Sequence, residues 1–145
     1  MVLPKDLVKL AGGWVTAQNG YELQNEGEAF FALPSAYVPL LSSLRASLRI
    51  LKAGVKVAEV KGRDLIPAHE LVLSHIYNKE NFPSVELTEE QAIAYLRREA
   101  LTLTEAPRGY VVVTNRHVPL GLVKNLGSRA NNLYPAEWRI RKSLI

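Results

Sequence analysis

Turn signals recur at short intervals along this chain, and they limit it to short elements. They are Asn19-Gly20, Asn25-Glu26-Gly27, Ala53-Gly54, Gly62-Arg63-Asp64, Asn115-Arg116-His117 and Asn125-Leu126-Gly127-Ser128. Gly and Asn tolerate positive φ at low cost, and Asn-Gly is the strongest short hairpin signal. Between the turns, apolar residues often alternate with polar ones, the pattern of half-buried strands.

Taken in order, residues 4–11 predict one short helix stopped by Gly12-Gly13. Trp14–Ala17 predicts a strand that pairs across Asn19-Gly20 with Tyr21–Gln24, and Glu28–Leu33 completes a small meander. A possible helix over residues 36–43 must accommodate Pro39, so it is expected to be short, to be irregular, or to begin near Pro39. Arg45–Lys52 alternates with period two and predicts a strand, paired through Ala53-Gly54 with Val55–Lys61. Pro67 suits the first turn of a helix running through His75. Residues 77–83, YNKENFP, are polar and end in Pro, so they predict a linker. The expected modules are residues 1–78 and 79–145.

In the second module, Ser84–Leu87 predicts a strand and Thr88-Glu89-Glu90-Gln91 a capping box. The helix that follows, 89–99, places Ala92, Ile93, Leu96 and Ala100 on one stripe, flanked by Tyr95. A hairpin then runs from Gly109 through Lys124, where Pro119 and Gly121 imply an edge or a bulge. The predicted class is α+β, two small β-rich modules, the second with a capped helix.

The chain has 145 residues, 48% apolar and 22% charged, the profile of a folded protein. No apolar run reaches the roughly 18 residues of a membrane span, and MVLPKDLVKL lacks the n- and h-regions of a signal peptide. A cytoplasmic location without membrane partners is the expectation. There is no cysteine, which excludes disulfides, thiolate metal sites and cysteine nucleophiles. No HExxH, glycine-rich phosphate loop or GxGxxG follows a strand, so no metal, nucleotide or methyl-donor site is expected in this chain. A small hydrolase would have to use His69 with Glu70, or His117, and this is the weakest of the readings.

Charge points elsewhere. The net charge is +4, and the cations fall in two blocks. Arg45, Arg49, Lys52, Lys56, Lys61 and Arg63 stand against Glu59 alone in residues 45–63. Seven cations stand against Glu137 alone in residues 106–145. Such blocks suit a polyanion, or they are two solvated surfaces that keep a small protein soluble. The segment after the hairpin mixes Lys124, Arg129, Asn131, Asn132, Tyr134, Trp138, Arg139 and Arg141. Cations match phosphates, amides can read base edges and rings can stack on unpaired bases. Against that, Asn131 and Asn132 could be left-handed turn residues, and Tyr134 and Trp138 could be half-buried core.

PLGLVKNLGSRANNLYPAEWR, with Gly109, Tyr110, Pro119, Gly121, Lys124, Gly127, Arg129, Asn132, Tyr134, Pro135 and Arg139, resembles the PUA-like domain of the bacterial rRNA small subunit methyltransferase F family, in the Nol1/Nop2/Sun group. GVKVAEVKGRDLIPAHELVLSH resembles the preceding C-terminal module of the same family. The resemblance covers most of residues 45–141. It implies a PUA-like pseudo-barrel, and a non-catalytic, substrate-recognising part of a SAM-dependent rRNA cytosine-5 methyltransferase. Its SAM and cysteine nucleophile are expected in a catalytic domain outside this chain, working in cis or in trans. The implied partner is small-subunit rRNA, and the expected contacts are Arg45, Arg49, Lys56, Lys61, Arg63, Arg108, Lys124, Arg129, Asn132, Tyr134, Arg139 and Arg141. The rival is a structural module that packs on the catalytic domain through Phe30, Phe31 and Tyr37 without touching RNA.

Overall fold

A computed structural model describes residues 4–16 and 20–142. The chain divides into two compact units, Met1–Asn78 and Lys79–Ile145. Among the described residues, no helix is long and apolar enough to cross a membrane.

The first unit runs α1 (Lys5–Gly13), β1 (Tyr21–Glu26), β2 (Ala29–Pro34), α2 (Val38–Arg45), β3 (Val55–Lys61), β4 (Asp64–Pro67) and α3 (His69–Leu73). Its four strands form one sheet in the order β1-β2-β3-β4, antiparallel throughout. Phe30, Val57, Leu71, Val72 and Ile76 are its most deeply buried large side chains.

Three expectations change here. The strand over Arg45–Lys52 does not form. The helical turns of α2 continue past Arg45, with the Leu48 N–H donating to the Leu44 carbonyl at 2.8 Å. The alternation misled because neither of its faces is buried: Leu48 is 58% and Leu51 85% exposed. β3 pairs instead with β2, and Gly54 is what admits it. Its φ is +79°, and a Cβ there would lie 2.2 Å from the Ala32 carbonyl oxygen. Pro67 ends β4 rather than opening a helix, and α3 starts at His69. Among the described residues, Trp14, Val15 and Thr16 do not pair with Tyr21–Gln24. Val15 bridges to Tyr77, and Ala17, Gln18 and Asn19 lie outside the described residues. The stretch expected as a linker therefore begins as a pairing partner of Trp14 and Val15.

The second unit runs β5 (Ser84–Glu86), α4 (Glu89–Leu96), β6 (Gly109–Asn115), β7 (Val118–Asn125) and β8 (Ala130–Asn132), then a 3-10 turn at Ala136–Trp138. The sheet order is β5-β6-β7-β8, with β5 parallel to β6 and the rest antiparallel. The described strands form an open four-stranded sheet, not a closed barrel. The capping box forms as expected: Thr88 Oγ1 accepts from the Gln91 N–H, and Gln91 Oε1 accepts from the Thr88 N–H. The Pro119–Gly121 stretch carries a bulge, because Val113 pairs with Gly121 while Thr114 pairs with Pro119.

Tyr95 does not flank the α4 stripe but anchors it. It is fully buried among Leu87, Ala92, Leu101, Leu103, Val111, Val113 and Val123. Its hydroxyl donates to the Leu122 carbonyl at 3.0 Å, and burial pushes the phenol well above its ordinary pKa. Leu101 and Ala130 then bridge over the sheet edge. Replacing Tyr95 by Phe should remove one buried hydrogen bond and lower stability by about 1 kcal/mol. Urea denaturation followed by circular dichroism checks this, and no loss would mean that the hydroxyl does not tie α4 to β7.

Candidate nucleic-acid interface

The site is best built from the end of the sheet where β6 begins and β7 ends. Asn125 is fully buried there, at 1% exposure. Its amide nitrogen donates to the carbonyls of Leu103, Ala106 and Pro107 at 2.9–3.1 Å, and its oxygen accepts the Gly127 N–H at 3.1 Å. One side chain thus ties the loop before β6 to the turn after β7. Sequence reading treated Asn125 only as a break. Its position after an apolar strand run was the available signal for a buried role.

The turn is closed by the Leu126 N–H donating to the Arg129 carbonyl at 2.9 Å. Gly127 sits at φ +97°, and the Arg108 guanidinium lies against it, 3.1 Å from where a Cβ would stand. Arg108 and Arg129 are both exposed. On the adjoining strands, Tyr110 pairs with Lys124 and Lys124 with Asn131, so the three share one face. Lys124 Nζ stands 5.4 Å from the centre of the Tyr110 ring, within cation–π range. Among the described residues, Arg108, Lys124 and Arg129 form no ion pair. The result is three unneutralised cations beside an aromatic ring and the exposed amide of Asn131. That Tyr110 and Asn131 lie on the same face as Lys124 comes from the strand register, which the sequence alone did not supply. Asn131 is a strand residue and has no left-handed backbone.

Asn132 is one residue on and faces the other way. Its amide nitrogen donates to the carbonyls of Tyr95 and Glu99 at 2.8 and 2.9 Å, and its oxygen accepts the Tyr134 N–H. It ties the last turn of α4 and the residues just after it to the segment beyond β8, and both amide hydrogens are committed to those two carbonyls. Asn132 thus has a structural role in this unit. Tyr134 is half-buried, edge-on to Tyr95 with ring centres 5.5 Å apart. Arg139 and Arg141 are exposed beyond the 3-10 turn, on a segment held by the Ile140 N–H to the Leu96 carbonyl.

The first basic block is arranged differently. Its cations do not share a hairpin: Arg45 ends α2, Arg49 lies in the connection, and only Lys56 and Lys61 are on β3. Arg45 is ion-paired with Glu26, and Lys52 with Glu70 at 2.6 Å. Lys56 and Lys61 share Glu59, at 2.7 and 3.0 Å. Hydrogen bonds from those two lysines hold the Glu59 carboxyl below its ordinary pKa. Arg49 and Arg63 are exposed and form no ion pair among the described residues. A cation that must leave its carboxylate to meet a phosphate gains less than an unpaired one.

The candidates for hydrolysis belong to different units, His69 and Glu70 to the first and His117 to the second. Glu70 holds Lys52, while burial pushes the pKa of His69 below its ordinary value. His117 is exposed in the β6–β7 turn at φ +64°, its N–H donating to Glu86. A cleft of about 220 Å³ lined by Glu86, Gln91, Thr102, Thr104 and Glu105 carries two carboxylates and no cation. It does not suit a phosphate.

Comparison with known proteins defines the class first: residues 82–140 match the family model of the methyltransferase RsmF PUA domain. The ribosomal RNA small subunit methyltransferase F of Klebsiella pneumoniae (strain 342) is 34% identical over 119 residues, covering 81% of this chain and 24% of that protein. The protein of the same name from Cronobacter sakazakii (strain ATCC BAA-894) is 32% identical over 117 residues, 80% of this chain and 23% of that protein. The one from Shewanella loihica (strain ATCC BAA-1088 / PV-4) is 32% identical over 117 residues, 79% and 23%. The chain belongs to this family, as the PUA-bearing region of an RsmF-like methyltransferase. It spans about a quarter of the length of these curated relatives.

Replacing Gly127 by Ala should strain the turn and displace the Arg108 guanidinium. The expected stability loss is about 1–2 kcal/mol, from a non-glycine residue held at positive φ. Thermal unfolding measures it, and an unchanged midpoint would show that the turn does not need glycine.

Proposed function

We propose that this chain is the non-catalytic, RNA-holding part of a SAM-dependent rRNA cytosine-5 methyltransferase, and that it presents small-subunit rRNA to a catalytic domain. The observation that carries the reading is the gathering of Arg108, Lys124 and Arg129 around the Gly127 turn, unneutralised and beside Tyr110. Guanidinium forks bind phosphate in two-point fashion, and a lysine adds a point charge. Tyr110 holds the Lys124 ammonium over its ring, which keeps the charge extended toward the sheet end. Asn131 adds an amide on the same face, suited to a phosphate oxygen, a ribose hydroxyl or a base edge. Arg139 and Arg141 extend the positive charge onto the segment beyond α4. The names of the relatives support ribosomal RNA as the polyanion. The sheet covered by Tyr95 and closed at one edge by the Leu101–Ala130 bridge is our reading of the pseudo-barrel.

Methyl transfer itself is assigned outside the chain. The sequence has no cysteine and no GxGxxG turn after a strand, so its residues do not fit a methyl donor and no chemical step is routed through them. Their contribution is to bind and orient.

A second reading is favoured for the first unit alone. Tyr37, Leu40, Leu44, Leu48 and Leu51 are exposed at spacings of three and four residues along α2 and the turns that follow it. Such a stripe suits packing on a catalytic domain. Tyr37 belongs to it, whereas Phe30 is core and Phe31 half-buried.

Binding of a fluorescent rRNA hairpin, followed by anisotropy across a salt series, tests the main reading. The wild-type affinity should fall linearly on logarithmic axes with a slope of roughly −2 to −3 if three phosphates are neutralised. Reversing Arg108 and Arg129 to Glu should remove most of the binding. Salt-independent binding, or full binding by the double variant, would overturn the proposal.

A further inference from the structure

Trp138 stands at the outer end of a three-ring ladder. Tyr95 is buried in the core; Tyr134 meets it edge-on at 5.5 Å and 64°; Trp138 meets Tyr134 edge-on at 6.4 Å and 69°. The ladder is clamped on both sides. Arg98, at φ +63°, donates through Nε to the Tyr134 carbonyl at 2.6 Å. Beyond the tryptophan, the Ile140 N–H donates to the Leu96 carbonyl at 3.0 Å, and Pro135 sets the entry into the 3-10 turn. The ring at the end of this rigid series is nevertheless 54% exposed. The chain holds two tryptophans, and the other, Trp14, is 7% exposed.

A large ring held in fixed orientation and half open to water offers part of its surface for stacking. Its neighbours indicate which partner suits it. Arg139 and Arg141 follow it, exposed and without an ion pair among the described residues, and Glu137 is the lone acid of residues 106–145. An aromatic plane next to unneutralised guanidinium groups is the combination that takes a single-stranded nucleotide, the ring receiving the base and the cations its phosphates. A wholly apolar protein segment would leave the two guanidinium charges unmatched, whereas a nucleotide backbone matches them.

We infer that Trp138 is a stacking platform for one unpaired base of the RNA, with Arg139 and Arg141 holding the adjoining backbone. This rests on the RNA-binding reading above and adds to it a requirement for an unstacked nucleotide, which places a loop, bulge or single-stranded end at this segment. Because the ladder fixes the ring before RNA arrives, the base meets a surface that needs little further ordering.

The test uses the full chain, an RNA hairpin with an unpaired loop, the same hairpin with abasic loop positions, and a blunt duplex. Trp138→Ala should weaken binding to the looped hairpin about tenfold. It should leave duplex binding and the slope against salt unchanged, since no phosphate contact is removed. Abasic substitution should weaken the wild type by the same factor and leave Trp138→Ala no worse. Looped RNA should quench tryptophan fluorescence, and Trp138→Phe should abolish the quench while keeping most of the affinity. Unquenched fluorescence on RNA binding, or an equal loss by Trp138→Ala on looped and abasic RNA, overturns the platform while leaving the backbone contacts standing. No salt-sensitive binding to any of the RNAs overturns both.

Discussion

The buried amide of Asn125 is the constraint on which the proposed binding face depends. A buried polar group without partners would cost about 1–3 kcal/mol, so its neighbours are arranged to satisfy it. Here the satisfying groups are the carbonyls of Leu103, Ala106 and Pro107 and the N–H of Gly127. The loop that presents Arg108 and the turn that presents Arg129 are consequently held by the same side chain. Asn132 acts in the same way one strand over, joining the end of α4 to the segment that carries Tyr134 and Trp138. The buried Asn125 and the half-buried Asn132 thus position the cations and rings at the surface.

Equal charge does not mean equal capacity for a polyanion. Both basic blocks are dense in sequence, yet four of the six cations in the first are engaged by Glu26, Glu59 and Glu70. Exposed pairs contribute at most about 1 kcal/mol to stability, so they are not what holds the unit together. Their effect is electrostatic: each carboxylate repels the phosphate that its lysine or arginine would attract. In the second unit Arg108, Lys124, Arg129, Arg139 and Arg141 meet no such competition among the described residues. Half of this engagement comes from acids outside the block: Glu26 on β1 takes Arg45 and Glu70 on α3 takes Lys52, while Glu59 inside it holds Lys56 and Lys61.

Much of the second unit was legible in its residues. The capping box, the α4 helix, the hairpin turn at Arg116-His117 and the bulge near Gly121 all follow from local chemistry: hydroxyl and amide caps, positive φ and the missing proline N–H. The first unit was less so. Leu44, Ala46, Leu48 and Ile50 alternate as a strand does, but no sheet lies beside them to bury either face, and the backbone keeps its helical hydrogen bonds instead. Of the candidate site, Lys124, Arg129 and Arg108 could be named from charge. Asn131 was named with them from its amide, but that it and Tyr110 share a face with Lys124 follows only from the register of β6, β7 and β8, which turns Asn132 the other way.

By itself, the sequence determined the α+β composition, the position of most turns, the absence of cysteine chemistry and the density of cations in residues 45–63 and 106–145. Those properties depend on single residues and their nearest neighbours. Tertiary structure alone decided which cations stay unneutralised, which amides face solvent and which aromatic ring ends the ladder. The Arg45–Glu26 and Lys52–Glu70 pairs, the amide bonds of Asn132 and the Tyr95–Tyr134 contact join residues far apart in sequence, which local preference does not encode.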